Sequence, residues 1–162
     1  MDDLRKHDLI HKACTLWDAG QPIEAGQIIF EMIPVARRHQ WAANLLELVY
    51  SHFSPLAEID ALLDYANTPD KFSLENYHEA YKTVIRMTWV RELLIGEFAC
   101  QVGKIVYTAQ QYPAPFDHSA GWVIFEWLRK VIDQIDDTEF AECAWAVAAD
   151  EQFMELDEPV MC

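Results

Sequence analysis

Two histidines near the start of the chain have the spacing of metal ligands on a helix. His7 and His11 are four residues apart, and Asp3 lies one turn earlier. Side chains at positions i and i+4 of a helix are neighbours, so these three can share a face and offer imidazole and carboxylate ligands to a metal ion. A closed metal site needs further ligands that the sequence does not indicate. We therefore predict that the protein binds no metal ion or other cofactor. If it does bind a metal ion, His7 and His11 are candidate ligands.

A Glu-x-x-His spacing gives a second metal hypothesis. Glu75 and His78 have this spacing, and Asp8 with His11 is an aspartate variant of it. Helical bundles that hold two metal ions use two Glu-x-x-His motifs and two further glutamates. Four glutamates in apolar stretches are candidates for the additional ligands: Glu31, Glu47, Glu97 and Glu126. The match is incomplete, because Glu75 falls in the first turn of its predicted helix and the second motif lacks a glutamate.

The common signatures of nucleophilic and nucleotide chemistry are missing from the sequence. Cys14 follows His11 by three residues, but its apolar helical face favours a packed side chain over a catalytic thiol. No glycine-rich phosphate loop, G-x-S-x-G elbow, H-E-x-x-H or dinucleotide fingerprint occurs. The sequence therefore favours a protein without enzymatic activity, with an active site assembled from distant residues as the open alternative.

Negative charge is concentrated towards the C-terminal end of the chain. The protein has 27 acidic and 12 basic side chains and a net charge of -15, and residues 131–162 contain ten acids and no lysine or arginine. Such a surface speeds the encounter with a basic partner, whereas its alternative role is to keep the protein soluble. The acids predicted to bind a partner are Asp133, Asp136, Asp137, Glu139, Glu142, Asp150 and Glu151.

Trp122 is the predicted aromatic member of this interface. Trp122 and Trp127 are five residues apart, which is about 140° around a helix, so the pattern allows one of them to face outward. Exposed aromatic side chains are enriched at the energetic centres of protein interfaces. The alternative for each tryptophan is a place in the core, beside leucine, isoleucine and valine.

Composition and charge exclude several classes of protein. Hydrophobic residues make up 52% of the 162 residues, which is enough for a packed core and excludes intrinsic disorder. The net charge argues against direct binding to nucleic acids and to anionic membranes. No apolar stretch reaches the roughly 20 residues of a membrane-spanning helix, and the charged start of the chain does not have the form of a secretory signal.

The four cysteines are widely spaced and form no C-x-x-C pair: Cys14, Cys100, Cys143 and Cys162. This spacing argues against both a zinc ribbon and a disulfide scaffold. We therefore predict reduced thiols and a cytoplasmic protein.

Apolar residues recur at helical spacing, and no strand pattern is present. We predict an all-α, compact single-domain bundle of about six to seven helices over residues 1–150, or a short solenoid-like stack of helix pairs. An acidic tail follows at residues 151–162. A long helix from Ser73 is expected to reach about Tyr107 unless Gly96 or Gly103 breaks it. The other helices are expected at about 3–17, 22–33, 35–53, 54–65 and 117–135 and from 138 onward.

The start of the last helix has a recognisable capping pattern. Asp136 is followed three residues later by Glu139, which has the form of a capping box. The sequence therefore predicts that Asp136 is the N-cap.

Three functional hypotheses from different classes fit this sequence. The first is a binding protein that occludes a basic protein partner, most concretely a bacterial immunity protein that neutralises a toxin such as a nuclease. The second is a helical adaptor, which requires an exposed apolar groove. The third is a metal-dependent bundle enzyme, which requires Glu and His side chains that converge in the interior. The concentration of negative charge favours the first hypothesis, the binding protein. The sequence does not indicate the oligomeric state.

Overall fold

The computed structural model describes residues 3–34, 37–67, 93–111 and 119–149, and within these ranges every regular element is an α-helix. The all-α prediction is therefore confirmed. The helices are α1 (Asp3–Asp18), α2 (Pro22–Met32), α3 (Arg38–Tyr50), α4 (Ala57–Asn67), α5 (Leu94–Gln111), α6 (Ser119–Ile135) and α7 (Thr138–Ala148).

The connection between α1 and α2 follows from its sequence. Gly20 has a φ of +80°, a conformation that glycine adopts without strain, and it closes the end of α1. Its backbone N–H donates to the Trp17 carbonyl at 3.1 Å, and the Gln21 N–H donates to the Leu16 carbonyl at 2.9 Å. Pro22 then occupies the first turn of α2, where its missing N–H costs nothing.

The helix predicted to reach about Tyr107 is interrupted before either glycine, because the chain bends at Leu93 and α5 begins at Leu94, and neither Gly96 nor Gly103 breaks α5. Gly96 and Gly103 are both buried in a helix that runs on to Gln111. A glycine inside a helix costs about 1 kcal/mol relative to alanine, and the packing of α5 against α3 and α6 offsets that cost. The predicted start of this segment at Ser73 lies outside the described residues.

The helices pack as a bundle in which many contacts join helices that are not consecutive in the chain. α3 packs most extensively on α5, and α2 on α6, in addition to the sequential pairs α1 with α2 and α5 with α6. α7 packs on both α3 and α6. Contacts between helices far apart in the chain favour the compact bundle over a solenoid-like stack, in which each pair would touch only its neighbours.

Aromatic side chains join four of these helices in the core. Trp41 of α3 stacks on Phe125 of α6, with ring centroids 5.9 Å apart, and lies 5.8 Å from the ring of Phe30 in α2. Its indole Nε1 donates a hydrogen bond of 2.7 Å to the carbonyl of Ala148. Trp41 therefore fixes the C-terminal end of α7 against α3.

Arg38 is a charged residue within this core. Its guanidinium lies 4.2 Å from the centre of the Phe30 ring, and its Nε donates to the Ile33 carbonyl at 3.0 Å. Burial lowers the pKa of Arg38, and the nearby Glu31 carboxylate opposes that shift. The only other buried polar side chain of the described residues is Gln101.

Cys14 is buried on α1 and is disulfide-bonded, whereas Cys100 and Cys143 are not in disulfides. The prediction of reduced thiols is therefore wrong for Cys14. Sequence spacing detects only local cysteine pairs, while a disulfide depends on how closely the fold brings two Cα atoms together.

Within the four described ranges, no helix combines the length and the apolar character that crossing a lipid bilayer requires.

Candidate functional site

The end of α6, the turn after it and the start of α7 form a strongly acidic surface. Five carboxylates occur there within ten residues, and all five residues are exposed. We call this surface the acidic corner, and its members are Asp133, Asp136, Asp137, Glu139 and Glu142. All five were predicted from the sequence as partner-binding residues, and the α6–α7 turn places them at one end of the helix pair.

The backbone of the turn gives the two central aspartates separate structural roles. Asp136 has a φ of +53°, which ends α6 at Ile135. Aspartate is one of the few residues that tolerates this conformation. Asp137 is the N-cap of α7: its Oδ1 accepts from the N–H groups of Glu139 at 2.9 Å and Phe140 at 3.2 Å. The prediction that Asp136 caps the helix is therefore wrong by one residue.

Within the acidic corner, Asp133 alone forms an ion pair with a described residue. Its carboxylate lies 3.8 Å from Arg129 Nε, one helical turn away, and its side chain is still 70% exposed. Arg129 also donates to the Trp17 carbonyl at 2.9 Å and lies over the Trp17 ring, which ties α6 to α1. The other four carboxylates have no cationic partner in the part of the chain that the structure describes.

Helix polarity adds to the negative charge around α6. The C-terminal end of a helix carries a partial negative charge, which basic side chains in the last turn usually offset. None of the seven described helices has a basic residue in its last turn. Asp133 and Asp136 therefore lie at a helix end that already repels them.

The start of α7 is held in place by two contacts. The buried Phe140 side chain packs with its ring centroid 4.4 Å from that of the exposed His52, just beyond α3. The Asp137 cap satisfies the first N–H groups of the helix. Sequence reasoning missed His52, because a contact between residues so far apart in the chain leaves no local pattern.

Removal of the Asp137 cap should loosen this end of the bundle. We expect Asp137→Ala to lower the free energy of unfolding by about 1 kcal/mol, because two backbone N–H groups lose their acceptor. Urea unfolding followed by circular dichroism measures the change. Asp137→Asn is the control, since asparagine caps equally well, and an equal loss in both variants would show that the cap contributes nothing.

Trp122 lies near the start of α6, away from the acidic corner, and its role as an interface anchor stays a prediction. It is half-buried near the start of α6, packs against the core, and is separated from Asp133 by about 16 Å along the helix axis. Its Nε1 is buried and has no hydrogen-bond acceptor among the described residues, and the same is true of Trp145 Nε1. The apolar stripe of α6 turns Trp122 inward, in line with the alternative of a core position.

The metal candidates do not come together within the described residues. His7 and His11 are exposed on α1, and no group of three or more potential ligands occurs in the described ranges. Four predicted site residues lie outside those ranges: Glu75, His78, Asp150 and Glu151. The glutamates suggested as interior ligands are exposed or half-buried: Glu31, Glu47, Glu97 and Glu126.

Large exposed apolar side chains are few in the described ranges. Leu4 at the start of α1 is 74% exposed and Leu93 before α5 is 43% exposed. Two leucines, one on α1 and one before α5, are too few for the contiguous apolar groove that an adaptor surface requires. The acidic corner is therefore the most distinctive surface of the described residues.

Comparisons with models of known protein families, with curated proteins and with solved structures find no match to this chain.

Proposed function

We propose that this chain is a non-enzymatic binding protein whose acidic corner covers a basic surface on a protein partner. The most concrete form of the proposal is an immunity protein that neutralises a toxin with a cationic active site, such as a nuclease. The observation that supports it is the cluster of five exposed carboxylates within ten residues, four of which have no ion pair among the described residues.

Electrostatics gives the reason to expect a cationic partner. Like charges held close together repel one another, and the negative end of α6 adds to that repulsion. Lysine and arginine side chains of a partner would relieve it, and the field would also speed the encounter. Repulsion of acidic proteins follows from the same field, which supplies selectivity as well as speed.

The corner is also organised before any partner arrives. Phe140 is buried, Asp137 is fixed by its cap, and Trp41 holds the far end of α7. A rigid surface needs less ordering on binding than a flexible one, so more of the interaction free energy remains for affinity. The acidic corner therefore has the properties of a preformed docking surface.

The test uses a variant that removes charge and keeps shape. In the corner variant each acid is replaced by its amide, which preserves the backbone at position 136 and the cap at position 137. The changes are Asp133→Asn, Asp136→Asn, Asp137→Asn, Glu139→Gln and Glu142→Gln. A control variant removes the same charge from exposed acids on other helices: Asp8→Asn, Glu24→Gln, Glu31→Gln, Glu47→Gln and Asp64→Asn.

Immobilised wild-type protein and both variants are incubated with extract from the source cells at low and at high salt. We expect the wild type and the control to capture a basic protein at low salt, with weaker capture at high salt, and the corner variant to lose it. The captured protein is then purified. We expect its association rate constant with the corner variant to be at least about tenfold lower than with the wild type. Equal association of the corner variant and the wild type, or a partner held regardless of salt, would overturn the proposal.

A further inference from the structure

The exposed face of α1 carries a pair of imidazoles that the acidic corner does not use. His7 and His11 are both exposed, while Ile10, Ala13 and Cys14 of the same helix are buried in the core. The buried face holds the helix in place, so the backbone under the two histidines is already helical. At this i and i+4 spacing the Cβ atoms of two side chains are about 5–6 Å apart.

We propose that His7 and His11 form a two-histidine chelating site for a divalent transition-metal ion such as Ni²⁺, Cu²⁺ or Zn²⁺. This is the spacing at which the two histidines of an H-E-x-x-H helix bind one zinc ion. Imidazole nitrogen suits zinc, copper and nickel, whereas magnesium and calcium prefer oxygen ligands. The site is independent of the proposed partner and belongs to a different helix.

Both imidazoles are available to a metal. Neither makes a hydrogen bond or ion pair with another described residue, and the bond between Thr15 Oγ1 and His11 uses the His11 backbone carbonyl. Chelation therefore breaks no existing side-chain contact of the described residues. Because no third ligand lies near them in the described ranges, water completes the coordination, and the site differs from a closed structural zinc site.

Binding to the folded helix links metal affinity to stability. A metal that needs both histidines on a helical turn binds the folded protein better than the unfolded chain, so it raises the melting temperature. For saturating Ni²⁺ or Zn²⁺ we expect an increase of about 2–5 °C.

The experiment uses the full chain without a histidine tag, stripped of metal with a chelator and titrated with NiCl₂ in a calorimeter. The decisive variant exchanges two neighbours, His11→Lys with Lys12→His, which keeps composition and charge but moves the second histidine to i+5, about 140° around the helix from the first. His7→Gln removes one ligand. His52→Gln is the matched control, because His52 is exposed but has no histidine one turn away.

We expect the wild type and His52→Gln to bind one Ni²⁺ per chain, and the exchanged variant and His7→Gln to bind at least about tenfold more weakly. MgCl₂ should give no binding and no thermal shift. Unchanged nickel affinity in the exchanged variant, or loss of binding in His52→Gln, would overturn the proposal. Circular dichroism of each variant checks that α1 is still folded.

Discussion

Gly26→Ala should destabilise the protein by about 2–3 kcal/mol, although alanine favours helices over glycine by about 1 kcal/mol. A Cβ at position 26 would lie 2.6 Å from Phe125 Cδ2 and 2.8 Å from Phe125 Cγ. The ring has no room to move away, because it is fully buried between Trp41 and Trp17. The added methyl group must therefore separate α2 from α6.

A double-mutant cycle tests whether this contact is the cause. Urea unfolding is measured for the wild type, Gly26→Ala, Phe125→Ala and the double variant. In the Phe125→Ala background we expect the cost of Gly26→Ala to fall below about 1 kcal/mol, because the Cγ and Cδ2 atoms that the new methyl group would meet are gone. A cost that is the same in both backgrounds would contradict the steric explanation.

Trp41→Ala should have the largest effect of any single change considered, a loss of about 3–5 kcal/mol in the free energy of unfolding. The substitution removes the stack on Phe125 and the contact with Phe30, and it leaves a cavity where four helices meet. It also removes the hydrogen bond to the Ala148 carbonyl. The end of α7 loses its attachment to α3 at the same time.

Trp41→Phe separates packing from the hydrogen bond. We expect this variant to lose about 1–3 kcal/mol, since the aromatic contacts are largely kept and the Ala148 carbonyl loses its donor. Trp127→Phe is the control, because Trp127 is half-buried and its indole donates no hydrogen bond to a described residue. Chemical denaturation of the three variants ranks the losses, and a Trp41→Ala loss no larger than that of Trp127→Phe would contradict the central role of Trp41.

The helix ends that could be predicted from the sequence are those set by local stereochemistry. Gly20 and Pro22 mark the connection between α1 and α2 because one tolerates a positive φ and the other lacks an N–H. The predicted end of α6 at Ile135 also agrees with the structure. Each of these signals depends on a few adjacent residues.

Features that depend on distant contacts could not be predicted. Gly103 lies inside α5 although glycine is a poor helix former, and Arg38 is buried because the Phe30 ring and the Ile33 carbonyl receive it. Asp136 and Asp137 are both good N-caps by type, and only the backbone conformation shows which one accepts the hydrogen bonds.

The candidate site also contains features that local sequence predicts and features that depend on distant contacts. The five acids of the corner could be found from charge alone, because they are close in sequence and exposed. Whether Trp122 packs on the core could not be decided from the sequence, since its direction depends on which stripe of α6 faces inward. His52 reaches the corner only through its contact with Phe140.

The two aspartates of the α6–α7 turn limit how this surface can vary among related chains. Position 136 must hold aspartate, asparagine or glycine for the sake of its positive φ, and position 137 needs a short acceptor such as aspartate, asparagine, serine or threonine. Both restrictions apply whatever the protein binds. Acidic residues kept at positions 139 and 142, where no comparable backbone restriction acts, would instead record selection by a partner.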